Sequence, residues 1–265
     1  MQTAQNPAIA KKIDWRANIF RVVATLVALL MLMISATGIL APWGVLPSEE
    51  MMNLQPGQEV SSILWYGSIW VAYGTLMNAL VLLILVWKPR ENPVLMQYWV
   101  IGQIAMTIIF TTFVEFSLQT ILIFVVLTAL YPQPKALFDF KSEGSTSKIF
   151  LGVAVLATLV FLPVIWSNFQ LFNSAEEFRN MSVGPIQVTY VAFLIPLGAF
   201  LMATRKTGWR VLSTIVGLAL LYLGLAAISV PDALGSWGLL GGIPSFLAGI
   251  VFLAFPRLNT FQTNS

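Results

Sequence analysis

The sequence predicts an all-α, polytopic membrane bundle of eight transmembrane helices, and three observations carry that prediction. Hydrophobic residues make up 58% of the 265-residue chain and charged residues only 9%, whereas a soluble domain carries roughly 25% charged residues. The apolar residues gather into runs matching the length of about 20 residues that a helix needs to cross the hydrocarbon core. The 14 Lys and Arg residues sit between these runs or at their ends. With eight spans and a cytoplasmic N-terminus, all of them but Arg179 fall on the cytoplasmic side, and a bias of this kind sets orientation in a bilayer.

Residues 1–18 form a basic cytoplasmic segment with Lys11, Lys12 and Arg16. The first span is expected from about Ile19 to Ala41. Its apolar run exceeds the usual 7–15 residues of a signal peptide's central region, so it reads as a retained helix. An outer segment over 42–61 holds Pro42, Pro47, Glu49, Glu50, Pro56 and Glu59. The second span, 62–87, stops at Trp87-Lys88-Pro89-Arg90. Residues 94–131 read either as one helix or as two. One helix would reach about 57 Å at about 1.5 Å per residue, nearly twice the core thickness of about 30 Å. Two helices need a turn near Thr111 to Ser117, where there is no Gly or Pro to mark it. Charge decides for the turn, because without it every later loop changes side and the basic residues split evenly. A cytoplasmic linker over 132–148 carries Lys135, Lys141 and Lys148. The fifth span (149–166) leads to a second outer segment (167–185) with Glu176 and Glu177. The remaining spans are expected at 186–204, 209–230 and 237–255, with a cytoplasmic tail over 257–265.

The chain also reads as two four-helix halves, 19–131 and 149–256, in parallel repeat. Glu49-Glu50-Met51-Met52-Asn53-Leu54-Gln55-Pro56-Gly57 matches Glu176-Glu177-Phe178-Arg179-Asn180-Met181-Ser182-Val183-Gly184 as E-E-x-x-N-apolar-x-x-G. Each half begins with Ile-Phe (Ile19-Phe20, Ile149-Phe150) and ends on an aromatic residue before Pro (Tyr131-Pro132, Phe255-Pro256). An even number of helices keeps both halves in one orientation, a known transporter plan.

Composition narrows the chemistry. Without Cys there are no disulfides or thiolate sites, and without His the commonest haem ligand and neutral-pH proton carrier is missing. Every Lys lies at a span end or in a loop, which excludes a retinal Schiff base. No cofactor, metal or catalytic residue is therefore expected. The net charge of +3 is spread over loop ends, so nucleic acid is not an expected partner; the bilayer and other membrane subunits are.

The candidate polar residues within the apolar stretches are Asn78, Gln97, Gln103, Glu115 and Gln119. The amides serve either as hydrogen-bonding glue between helices or as the lining of a polar path. Glu115 is either the wet tip of the turn or a functional carboxylate within the membrane, with Gln119 one turn further on. Tyr66, Trp70, Tyr73 and Met77 follow helical spacing and read as an aromatic belt or as a pocket wall. The Glu pairs suit short interfacial helices, where carboxylates favour the positive dipole end. Pro163, Pro196 and Pro244 interrupt spans of the second half only. Ser213, Gly217 and Gly224 on the seventh span, and Gly238 and Gly242 with Gly241, Ser245 and Gly249 on the eighth, form small-residue stripes suited to close helix packing.

Lys88-Pro89-Arg90-Glu91-Asn92-Pro93 after the second span and Gly102-Gln103 within the third give Trp65 to Lys135 a resemblance. This stretch resembles small four-helix bacterial membrane proteins of the DoxX-like kind. Leu239-Leu240-Gly241-Gly242-Ile243-Pro244, leading to Pro256-Arg257, is similar to the last helix of such families. Related sequences often have His where this chain has Gln103. The resemblance implies the architecture, which a duplicated version would extend to four plus four helices, and it implies no activity. The functional expectation is an accessory or structural subunit of a membrane assembly, with a small transporter or channel built around a site between the halves as its rival.

Overall fold

Asp14 starts the first helix, its carboxylate accepting a hydrogen bond from Ala17 N at 3.1 Å, the usual device for an otherwise unpaired first-turn amide. The computed structural model describes residues 14–40, 43, 60–113, 118–141, 146–174 and 184–261. Helix α1 (Trp15–Ser35) begins and ends earlier than the span expected over 19–41. Its end is set by Ser35, whose hydroxyl bonds back to Met31 O at 2.6 Å and meets Thr75 Oγ1 at 2.7 Å. A 3-10 turn, Ala36–Gly38, follows.

Helix α2 (Val60–Trp87) is α-helical except over Ala72–Ala79, which is π-helical, Leu80 N bonding to Thr75 O five residues back. After α2, Lys88 and Glu91 pair at 2.6 Å and Asn92 Nδ2 donates to Lys88 O at 3.3 Å. Pro93 then opens α3 (Pro93–Phe113), at a position where its missing N–H costs nothing. Helix α4 is shorter (Leu118–Leu130). The rings of Trp99 and Phe124 lie 5.9 Å apart, whereas a continuous helix would separate these residues by about 37 Å. The chain therefore folds back between α3 and α4.

One helical turn, Pro134–Leu137, leads toward α5 (Lys148–Ser174). Helix α5 does not stop at 166 as expected: it passes through Pro163 and takes in residues placed in the outer segment. The apolar run continues beyond the proline, and an apolar helix tolerates the one lost donor. Helices α6 (Gly184–Ala203), α7 (Trp209–Ser229) and α8 (Gly238–Phe261) follow. Pro196 lies within α6, and Pro244 and Pro256 within α8, so none of the three breaks its helix and α8 runs on into the expected tail. Both E-E-x-x-N segments lie outside the described residues, apart from Gly184.

Successive helices run antiparallel, so one end of the bundle gathers the basic residues. There Arg21 Nε donates to Val86 O at 3.2 Å, Tyr131 Oη to Pro89 O at 2.8 Å, and Ser147 N to Ala203 O at 2.9 Å. Arg16 reaches Ala129 O. At the opposite end Tyr222 Oη donates to Ile39 O at 3.2 Å, and Leu234 N to Ser62 Oγ at 3.3 Å.

Helices α2, α3, α6 and α7 meet at the centre, with α1 laid on α2, α4 on α1, α5 on α6 and α8 on α7. Over its apolar window α6 is 78% buried and α5 only 17%. The outer helices turn Leu26, Leu159 and Leu240 outward. Among the described residues, six helices (α1, α2 and α5 to α8) are long and apolar enough to cross a membrane, while α3 and α4 carry shorter apolar stretches, Pro93–Ile109 and Thr120–Leu130.

Candidate functional site

The π-helical segment of α2 positions the principal polar cluster. Asn78 Nδ2 donates to Tyr73 O at 2.8 Å, and Gln103 Nε2 reaches across from α3 to Asn78 Oδ1 at 2.8 Å. On α3, Thr107 Oγ1 donates to Gln103 O. Tyr73 Oη points to Met106 Sδ at 2.9 Å, and its ring meets Tyr190 of α6 edge-on with centroids 5.2 Å apart. A Cβ at Gly102 would stand 3.0 Å from Tyr190 Oη, so glycine is what lets α3 approach α6. Asn78, Gln103, Tyr73 and Tyr190 are all buried. Two of the candidate amides are thus brought together and engage each other. The cluster is neutral, and a π-helical turn inside an α-helix frequently marks a functional place.

Gln97 lies elsewhere, at the basic end. Its Nε2 donates to Ala136 O at 2.8 Å and Asp139 O at 2.7 Å, holding the connector after α4. Lys206, between α6 and α7, is only 3% exposed. Its ammonium donates to Ala136 O and Asp139 O and stands 3.6 Å from Asp139 Oδ2. Asp139 is held below its usual carboxylate range, first by the hydrogen bond from Lys141 N and then by the charge of Lys206. Beside it a cleft of about 620 Å³ is lined by Arg90, Pro93, Lys135, Asp139 and Lys206, among others. Arg90 in turn pairs with Asp14.

The small-residue stripes meet where α7 and α8 pack. A Cβ at Gly224 would lie 2.6 Å from Phe246 N, and one at Gly249 would lie 2.8 Å from Gly217 O. Ser213 Oγ donates to Phe252 O at 2.6 Å. On α8, however, Gly242 rather than Gly241 faces Gly224. A Cβ at Gly241 would meet Trp237 of its own helix instead, and Ser245 lines a groove between α5 and α8. Adjacent residues on an α-helix point about 100° apart, enough to turn one glycine of the pair away.

Tyr73 and Met77 of the aromatic stripe are buried, Trp70 leans on Tyr73 with ring centroids 5.4 Å apart, and Tyr66 lies against Gly184. Glu115 and the side chain of Gln119 lie outside the described residues. Lys206 and Tyr190 were not singled out by the sequence: nothing in Arg205-Lys206 marks which charge folds inward, and nothing in Gln187-Val188-Thr189-Tyr190 marks which side chain faces α2 and α3. No known protein family, curated protein or solved structure matches the chain, so its reading rests on its own residues.

Proposed function

We propose that this chain is an eight-span integral membrane protein with both termini in the cytoplasm, and that it serves as a non-catalytic accessory or structural subunit of a membrane assembly. The basic end of the bundle then faces the cytoplasm. The observation that carries the functional reading is the engagement of the central amides with each other, Gln103 Nε2 to Asn78 Oδ1 at 2.8 Å. Amides bonded in this way hold helices together and do not offer their polar atoms to a passing solute. Apolar outer faces on α1, α5 and α8 leave room for neighbouring subunits.

Duplication belongs to the same proposal. Phe20 meets Tyr131 edge-on at 5.6 Å, and Phe150 meets Phe255 edge-on at 4.7 Å, so the residues matched in sequence at the start and end of each half also pair in space. Helix α2 touches α7 as α6 touches α3, the exchange that a two-fold axis along the membrane normal produces. The DoxX-like resemblance, limited to Trp65 to Lys135 and the last helix, is compatible with two such units.

The π-helical segment favours a second reading, a small transporter gated where the halves meet. Mild-detergent purification from the native membrane separates the two. A fixed stoichiometric partner supports the subunit reading. A solitary protein that carries solute flux in proteoliposomes, with the flux abolished by Asn78→Leu, overturns it.

A further inference from the structure

We propose that the cleft at the basic end of the bundle holds the head of one anionic phospholipid, its phosphate against Arg90 and Lys135 and its chains beside the outward rings of the connector after α4. The site rests on the membrane reading above, though not on which side the basic end faces. The cleft measures about 620 Å³, and its lining carries Arg90, Lys135 and Lys206 against one carboxylate, Asp139. Its wall is built before any ligand arrives. Gln97 and Lys206 both donate to Ala136 O and Asp139 O, and Pro132 and Pro134 of the same lining have a fixed φ. Lys206 is engaged in that wall, buried beside Asp139. Arg90 meets Asp14 through Nη2 alone, and Lys135 is exposed. By sequence, 1–13 add Lys11 and Lys12 to this end and 142–145 add Glu143, so the balance stays positive.

The surroundings of the cleft name the source of the phosphate. Trp15 and Trp87 stand exposed at the same end, as side chains of an aromatic belt do at the level of lipid heads. Phe138 follows Lys135 by one helical turn, its N bonding to Lys135 O at 3.3 Å, and it is 82% exposed; Phe140 is exposed as well. The connector thus turns two rings outward beside a basic cleft, which fits the boundary between heads and chains. Basic pockets at this level take anionic lipid heads. A zwitterionic head brings its own cation into the same lining and fits less well, and a free phosphate leaves the two rings uncovered.

The test titrates the full chain in mild detergent with phosphatidylglycerol or with phosphatidylcholine of the same chains and counts bound lipid by native mass spectrometry. One phosphatidylglycerol should be retained per chain at concentrations where phosphatidylcholine is lost. Lys135→Gln should weaken that retention about fivefold, the worth of one Lys near a lipid surface, and Phe138→Ser should weaken it too. Both residues are exposed, so the fold survives either change. Lys88→Gln removes a charge from the same end but outside the lining and should leave retention unchanged. Equal retention of the two lipids, or equal loss in Lys135→Gln and Lys88→Gln, would overturn the site. Displacement of the lipid by millimolar inorganic phosphate would overturn the lipid as its occupant. Flotation with phosphatidylcholine vesicles separates the two levels. A chain that does not float overturns the membrane reading and the site with it, whereas a chain that floats and shows no lipid preference overturns the site alone.

Discussion

Asn78 and Gln103 form the pair whose removal says most about the centre of the bundle. Gln103→Leu leaves Asn78 Oδ1 buried without its donor, and interhelical hydrogen bonds of this kind contribute about 0.6–2 kcal/mol. Thermal unfolding in detergent should therefore show a loss of about 1 kcal/mol. Adding Asn78→Leu should recover less than replacing an isolated pair would, because Asn78 Nδ2 also satisfies Tyr73 O in the π-helical segment. Lys206 offers a second test. With the Asp139 carboxyl held below its usual range, its contribution is present above the unfolded carboxylate value and disappears as pH falls through the lowered folded one. Lys206→Met should shrink that acid limb without abolishing it, because the hydrogen bond from Lys141 N remains, and a pH series of melting curves would show the difference. None of these partnerships was legible in the sequence. The amides were visible as polar residues in apolar runs, but which one points at which partner depends on folding over 25 to 42 residues of chain (Gln103 to Asn78, Gln97 to Asp139).

At the scale of elements, close backbone approach holds α7 to α8. Gly217→Leu or Gly249→Leu should each lower stability by about 1–3 kcal/mol, the usual cost of overpacking. Gly152→Leu should leave it unchanged, since nothing stands within 4 Å of a Cβ there. Differential scanning fluorimetry of the three variants compares them directly, and equal melting of all three would refute the interface. The sequence signalled this contact through its small residues but could not choose between Gly241 and Gly242 on α8, which are equivalent until the facing helix is known. Hydropathy placed the cores of the long helices and could not place their ends. Ser35 closes α1 by a bond to another helix, and α5 continues through Pro163. The π-helical turn left no trace, since its change of period is invisible where nearly every residue is apolar.

For the whole molecule, charge proved the more informative signal. Residues 111–117 carry no Gly or Pro, yet the segregation of Lys and Arg required a turn between the third and fourth spans, and the Trp99 and Phe124 rings lie 5.9 Å apart. On our proposal α3, at about 31 Å for its 21 residues, crosses the core, and the shorter α4 completes the return. Because the chain contains no Cys, single cysteines can test this without background. The most direct measurement is labelling of Ser117→Cys and Lys141→Cys in intact cells with a maleimide that cannot cross the membrane. The account predicts that Ser117→Cys reacts from outside and that Lys141→Cys reacts only after permeabilisation. Reaction of Lys141→Cys from outside, or protection of Ser117→Cys until the membrane is opened, would contradict the eight-span bundle.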